Sequence, residues 1–104
     1  MIDIDQIKNE LVERLAPLGP DTIILFGSYA YGTPDEGSDI DLFLLMDDAK
    51  ENVEAKALYS LRDLIKKYKV GFDILAGDKN VITARTDSFY RVDILQKGKV
   101  LYGK

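Results

Sequence analysis

Two apolar runs separated by a turn-rich segment decide the fold of this chain: TIILFGSYAYGTPDEGSDIDLFLLM, Thr22–Met46. The runs at Thr22–Phe26 and Asp39–Met46 have the length and the apolar, partly β-branched composition of buried strands. Between them, Ser28–Gly32 is long enough for one or two helical turns, and the residues rich in Gly, Pro and Asp that follow predict a loop. We therefore expect a strand, a short helix, a loop and a second strand.

Helical patterns flank this segment on both sides. Asp3 precedes apolar residues spaced three and four apart, which predicts a first helix that Asp3 caps and that Pro17–Pro20 ends. From Ala49 to Tyr68 the apolar residues again follow the helical period, so we expect the longest helix of the chain there.

The C-terminal third predicts two further strands and a helix. Residues Lys69–Gly77 alternate in polarity, which predicts a third strand. Residues Lys99–Gly103 are expected to form a small strand at the end of the domain. Near Asp87 or Ser88 we expect a short helix with Phe89 and Val92 on one side. These apolar side chains either pack in the core or form a surface that contacts a partner protein. Core packing is the favoured interpretation.

Length and composition set limits on function. The 104 residues predict a single domain, residues 1–104, with one core. Without cysteine there is no disulfide, and without histidine any metal chemistry must rely on oxygen ligands. The net charge of -4 argues against general nucleic-acid binding. The N-terminal sequence predicts neither a signal peptide nor a membrane span, so we expect a cytoplasmic protein.

Asp39 and Asp41 place like charges two positions apart at the start of an apolar strand. Alternate residues of a strand share a face, with Cα atoms roughly 6.5 Å apart, so we expect the two carboxylates to converge. Such charges repel each other and lose hydration unless a cation or a shared proton compensates. Magnesium or manganese would suit these oxygen ligands. Acidic pairs also occur at ordinary strand and loop ends, as Asp47 and Asp48 illustrate.

A possible anion site and a third carboxylate accompany this pair. Gly27 and Ser28 end the first strand and open the short helix, which aims backbone N–H groups and a hydroxyl at an anion. A lone Gly-Ser is more often an ordinary turn. Asp73 lies among apolar residues of the third strand, where a neighbouring strand could bring it beside Asp39 and Asp41; the alternative is an exposed aspartate on an edge strand. Together these residues predict phosphoryl or nucleotidyl transfer with two divalent ions.

This combination resembles the minimal nucleotidyltransferases of the DNA polymerase beta superfamily. Their motif is Gly-Ser, ten residues and Asp-x-Asp, and here it reads Gly27-Ser28, residues 29–38 and Asp39-Ile40-Asp41. The third aspartate of the family matches Asp73. The resemblance spans nearly the whole chain and implies an α+β fold in which a mixed β-sheet is flanked by helices.

The resemblance also implies a reaction and a role for each residue. A nucleoside monophosphate would pass from a triphosphate, ATP in our interpretation, to an acceptor hydroxyl with Mg²⁺, two ions, as cofactor. Asp39 and Asp41 would bind both ions, and Asp73 would complete the catalytic metal site and help to deprotonate the acceptor. Gly27 and Ser28 would hold the terminal phosphates.

Domains of this size also resemble the MNT antitoxins of two-gene modules whose toxin is a HEPN-domain ribonuclease. Such antitoxins are described as adenylylating a tyrosine of the toxin. We therefore expect AMP transfer to a protein hydroxyl and a hetero-oligomer with a HEPN toxin. Two alternatives stay open: a module that neutralises a partner by occupancy alone, and nucleotidyl transfer to a small molecule.

The chain departs from its apparent relatives at Tyr29 and Tyr31, where members often carry arginine. This puts one phosphate contact in question. The two tyrosines either pack in the core, which is the favoured interpretation, or offer stacking surfaces. Basic residues that could replace the missing arginine are Lys66, Lys67, Arg85 and Arg91.

Overall fold

The computed structural model describes residues 3–32, 37–46, 52–78 and 97–103. Its helices are α1 (Ile4–Leu15), α2 (Ser28–Tyr31), α3 (Val53–Ser60) and α4 (Arg62–Tyr68), and a 3₁₀ turn at Ala16–Leu18 follows α1. Its strands are β1 (Thr22–Phe26), β2 (Ile40–Leu45), β3 (Phe72–Gly77) and β4 (Lys99–Gly103). These strands form one sheet in the order β3-β2-β1-β4, in which β2 and β3 are parallel and the other pairs antiparallel. The predicted α+β fold with a mixed sheet is confirmed.

The helices pack on one face of the sheet and form the main core with it. The Asp3 side chain caps α1 by accepting a hydrogen bond from the Asp5 N–H at 3.0 Å, as the sequence predicts. Complete burial of an aliphatic side chain contributes about 1.5–3 kcal/mol, so this layer supplies much of the stability. The fully buried residues that the helices and the junction between α3 and α4 contribute, at 0–1% exposure, are Ile7, Leu11, Leu15, Ala57, Leu61 and Leu64.

The opposite face of the sheet carries a second, smaller core and the acidic residues. Ile24, Phe26, Phe43 and Leu45 are buried there as a separate cluster. Because side chains alternate along a strand, Asp41 lies on this same face. The sheet thus separates the helix layer from the carboxylates.

The predicted single helix over Ala49–Tyr68 is replaced in the described part, from residue 52, by α3 and α4. They meet at Leu61, whose backbone is outside the helical region at φ -99°, ψ 4°. Two side chains compete with the helical hydrogen bonds here: the Ser60 hydroxyl donates to the Lys56 carbonyl at 3.0 Å, and the Arg62 guanidinium donates to the Tyr59 carbonyl at 2.9 Å. Such back-bonding bends helices, and hydrophobic periodicity does not reveal it.

Several predictions fall outside the described residues. They concern the loop at residues 33–36, the short helix near Asp87 or Ser88, and its side chains Phe89 and Val92. Within the described ranges, no helix is both long and apolar enough to cross a membrane.

Candidate active site

The parallel pairing of β2 with β3 sets Asp41 directly beside Asp73. Paired residues of neighbouring strands share a face of the sheet, so both side chains belong to the face opposite the helices. Asp39 comes just before β2, where the Ile40 N–H donates to the Gly71 carbonyl at 2.9 Å and begins the ladder. All three predicted aspartates therefore lie where β2 and β3 begin.

Gly27 makes room for the Asp41 carboxylate. A Cβ atom added at Gly27 would lie 2.9 Å from the Asp41 Cγ and would overlap Oδ2. The backbone at Gly27 also has φ 75°, in the left-handed region that favours glycine. Two independent constraints thus require glycine at the end of β1, and the contact with Asp41 links the Gly-Ser motif to the carboxylates.

A second glycine, which the sequence did not single out, supports Asp39. A Cβ atom at Gly71 would lie 2.5 Å from the Asp39 Oδ1. The Asp39 carboxylate is therefore packed over the backbone just before β3. The sequence does show a glycine one position before the strand that carries Asp73. That this glycine makes room for Asp39 becomes evident only when the pairing of β2 with β3 is known.

Helix α2 starts directly at Ser28 and ends at Tyr31, which confirms the short helix of one or two turns predicted after Gly27. The Gly27 carbonyl accepts hydrogen bonds from the N–H groups of Ala30 at 3.0 Å and Tyr31 at 3.1 Å. These bonds fix Ser28 as the first residue of the helix, next to the glycine that contacts Asp41. The structure thus brings the predicted Gly27-Ser28 turn and the carboxylates to one place.

Burial and two neighbouring carboxylates raise the pKa of Asp41 to about 6. Loss of hydration is the largest cause, followed by the charges of Asp73 and Asp39 and a hydrogen bond with Asp73. A hydrogen bond between two carboxylates requires a proton on one of them. At neutral pH the cluster therefore carries a repulsion that a bound cation would remove.

The donor set suits a hard cation, because carboxylate oxygens are the ligands that Mg²⁺ and Mn²⁺ prefer. Within the described residues no three acidic side chains already form a closed ligand group. Asp39 lies over Gly71, whereas Asp41 lies against Gly27. The neighbouring pair Asp41 and Asp73 is thus the part of the site best placed to hold an ion, and convergence of all three carboxylates stays a prediction.

The two tyrosines have different environments. Tyr29 is 8% exposed and packs in the main core, which agrees with the packing interpretation. Tyr31 is 40% exposed, and the Lys97 Nζ lies 5.7 Å from the centroid of its ring. No sequence motif marks Lys97 as a site residue.

The basic residues proposed from the sequence do not reach the carboxylates where they can be located. Lys66 and Lys67 belong to α4, on the other side of the sheet. The Lys67 Nζ forms an ion pair with the Glu10 Oε1 at 3.0 Å. Arg85 and Arg91 lie outside the described residues.

A helix-covered mixed sheet with paired aspartates against a Gly-Ser turn defines the class of protein, and sequence comparison identifies its family. The chain matches the family described as nucleotidyltransferase domain over residues 4–101. A Methanocaldococcus jannaschii protein, provisionally named a protein adenylyltransferase, is 32% identical over 81 residues, which cover 77% of this chain and 76% of that protein. The chain therefore belongs to the nucleotidyltransferase domain family, as the sequence motif indicates.

Other relatives agree with this assignment. A second M. jannaschii protein with the same provisional name is 40% identical over 55 residues, and the match spans about half of each chain, 53% of this one and 52% of the other. Among solved structures, a toxin-antitoxin with AMP-PNP superposes with a TM-score of 0.67 at 23% identity, covering 93% of this chain and 73% of that chain. A tri-AMPylated Shewanella oneidensis HEPN toxin in complex with its MNT antitoxin gives a TM-score of 0.62 at 20% identity, covering 98% and 74%. These likenesses show a shared fold.

Replacement of Gly27 by alanine should disrupt the site, because the new Cβ would displace the Asp41 carboxylate. Gly19→Ala is the matched control: its φ of 83° imposes a similar backbone penalty, but nothing lies within 4 Å of the added Cβ. We expect Gly27→Ala to lower nucleotidyl transfer at least about a hundredfold, since displacements near 1 Å have such effects. Gly19→Ala should lose stability only, as measured by thermal unfolding. Equal activity of the two folded variants would contradict the assignment.

Replacement of Asp41 by asparagine should stabilise the metal-free protein in a pH-dependent way. In the folded state the pKa of Asp41 is raised from 3.8 to about 6. The contribution of this carboxyl group to the stability of the wild type is therefore fully present below pH 3.8 and is lost as the pH rises through about 6. Because Asp41 is partly exposed, we expect a gain of only about 1 kcal/mol above pH 6, a Tm increase of about 4–8 °C.

This gain should shrink as the pH falls from about 6 towards 4, where the folded wild type carries a neutral Asp41. Thermal unfolding of wild type, Asp41→Asn and Glu13→Gln across this range, with a chelator present, is the measurement. Glu13 lies on the exposed side of α1 and controls for the loss of a carboxylate. A Tm difference that does not change with pH would refute the explanation.

Proposed function

We propose that this chain is a magnesium-dependent enzyme that transfers AMP from ATP to a hydroxyl of a protein, a tyrosine of a HEPN-domain toxin, and so acts as an antitoxin. The observation that carries the proposal is the pairing of Asp41 with Asp73 beside Gly27 in a nucleotidyltransferase domain. Like charges held close together, one of them partly buried, are costly, and binding of a metal-nucleotide complex would explain why they are present.

The side chains divide the work of the reaction among them. Asp41 and Asp73 would hold Mg²⁺ with Asp39 beside them, and bound Mg²⁺ neutralises phosphate charge and favours deprotonation of a hydroxyl. The backbone of Gly27, whose side-chain position the Asp41 carboxylate fills, would lie against the triphosphate, and the Ser28 hydroxyl would donate a hydrogen bond to a phosphate oxygen.

The proton of the acceptor hydroxyl would pass to a carboxylate. The acceptor oxygen attacks the α-phosphorus, the bond to the α–β bridging oxygen breaks, and pyrophosphate leaves with the electron pair. Asp73 is the exposed member of the Asp41–Asp73 pair and can therefore meet an incoming hydroxyl. With no histidine in the chain, a carboxylate is the available proton acceptor.

A protein acceptor is supported by the position of the site at an edge of the sheet. Asp73 belongs to β3, the edge strand on that side among the described strands. Leu75 lies two residues along on the same face and is 38% exposed, which offers a partner an apolar contact beside the carboxylates. The fold shared with a HEPN toxin complex whose toxin is tri-AMPylated adds support.

Labelled ATP provides the direct test of the chemistry. Wild-type protein, Mg²⁺ and a HEPN toxin encoded in the neighbouring reading frame should give labelled toxin. We expect Asp41→Asn and Asp73→Asn each to lower the rate at least about a hundredfold, because each removes a ligand of the ion that offsets phosphate charge. Glu13→Gln, a carboxylate on the helix side, should keep full activity. Absence of transfer by folded wild type alongside tight toxin binding would refute the enzyme and favour the binding module.

Neutralisation in cells separates catalysis from occupancy. If AMP transfer silences the toxin, the double variant Asp39→Asn, Asp41→Asn should fail to rescue growth when co-expressed with it, although the two proteins still co-purify. A module acting by occupancy should rescue growth regardless of these changes. Rescue by the double variant at the wild-type level would therefore contradict the catalytic account. Transfer of label to an aminoglycoside instead of the toxin would favour the small-molecule alternative.

A further inference from the structure

Strand β4 brings a lysine to the Gly27-Ser28 turn. In the antiparallel pairing of β1 with β4, Leu25 lies opposite Lys99. If this register continued two residues past the last pair, Lys97 would lie opposite Gly27. Lys97 is described just before β4 and is exposed. A lysine distant in sequence from the motif thus lies just before the strand that pairs with β1, at the end of β1 that leads into the motif.

The ammonium group of Lys97 is held on the side of helix α2. Its Nζ lies 5.7 Å from the centroid of the Tyr31 ring, within the range of a cation–π contact. Tyr31 is the last residue of α2 and Ser28 the first. Lys97 thus contacts the side chain that ends the same short helix that Ser28 begins.

The groups around the site are negatively charged, which favours a nearby cation such as the Lys97 ammonium. Asp39, Asp41 and Asp73 are all acidic, and so is the triphosphate that the proposed reaction requires. Within the described ranges, ion pairs join Arg14 to Asp63 and Lys67 to Glu10, and none engages Lys97. The Lys97 ammonium is therefore a cation near the Gly27-Ser28 turn that can pair with a phosphate.

We propose that Lys97 binds the terminal phosphates of the nucleoside triphosphate and that the Tyr31 ring holds its ammonium in place. This inference rests on the proposed function and names a residue that recognises the substrate of that reaction. Lys97 replaces, from another strand, a positive charge that Tyr29 and Tyr31 do not supply. It favours triphosphate over monophosphate, because only the triphosphate extends past the α-phosphate to the lysine.

Equilibrium binding of AMP-PNP with MgCl₂, measured by calorimetry beside binding of AMP, tests this inference. Lys97→Ala should weaken AMP-PNP binding about 10- to 100-fold, the usual effect of losing a charge-assisted contact. Binding of AMP should not change. Lys97→Arg should bind AMP-PNP within about threefold of wild type, because guanidinium also pairs with phosphate.

Two further changes serve as controls. Lys99→Ala removes the exposed lysine that begins β4, two residues or roughly 6.6 Å further along the chain, and should bind AMP-PNP as wild type does. Tyr31→Ala should weaken AMP-PNP binding without weakening AMP binding, and Tyr31→Phe, which restores the ring, should recover most of the lost affinity.

The outcomes separate this inference from the proposed function. If wild type binds AMP-PNP and Lys97→Ala binds it equally well, the role of Lys97 is refuted and the proposed function stands. If wild type does not bind AMP-PNP at all, both are overturned. A parallel loss of AMP-PNP and AMP binding in Lys97→Ala would also refute the role, because it would indicate damage to the site as a whole.

Discussion

The parallel pairing of β2 with β3 is the constraint on which the rest of the site depends. A parallel pair needs a long crossover connection, and the chain segment containing α3 and α4 makes it across the helix-covered face. The register is fixed by packing, because Phe72 and Ile74 contribute to the main core. A slip of one residue would send these side chains to the other face and bury Asp73 among the helices. The hydrophobic core thus determines which carboxylate meets Asp41.

The neighbouring carboxylates of the site destabilise the fold locally, and packing elsewhere in the protein offsets this. Asp41 is partly buried next to two other carboxylates, and its pKa is raised to about 6 as a result. Gly27 and Gly71 let the acidic side chains pack against backbone where any larger residue would clash. Stability comes from the helix layer on the opposite face, so the site can be optimised for a ligand. Strained or repulsive arrangements of this kind are typical of functional sites.

Local patterns in the sequence predicted much of the fold and the composition of the site. The cap at Asp3, the strands around the motif and the position of Asp73 opposite the apolar face of its strand all agree with the structure. The family resemblance is confirmed, while the roles of the aspartates and of Mg²⁺ stay proposals. What the sequence did not predict depends on contacts between distant parts of the chain: Gly71 lies beneath Asp39, and Lys97 contacts the Tyr31 ring. The break at Leu61 was missed because side-chain hydrogen bonds cause it.

The most direct test of the central claim is a crystal structure with Mn²⁺ and AMP-PNP, in which anomalous scattering locates the metal. The account predicts a manganese peak in contact with the carboxylates of Asp41 and Asp73, and the phosphates against Gly27 and Ser28. Manganese bound elsewhere, with no metal at Asp41 and Asp73 and the nucleotide away from the Gly27-Ser28 turn, would contradict it.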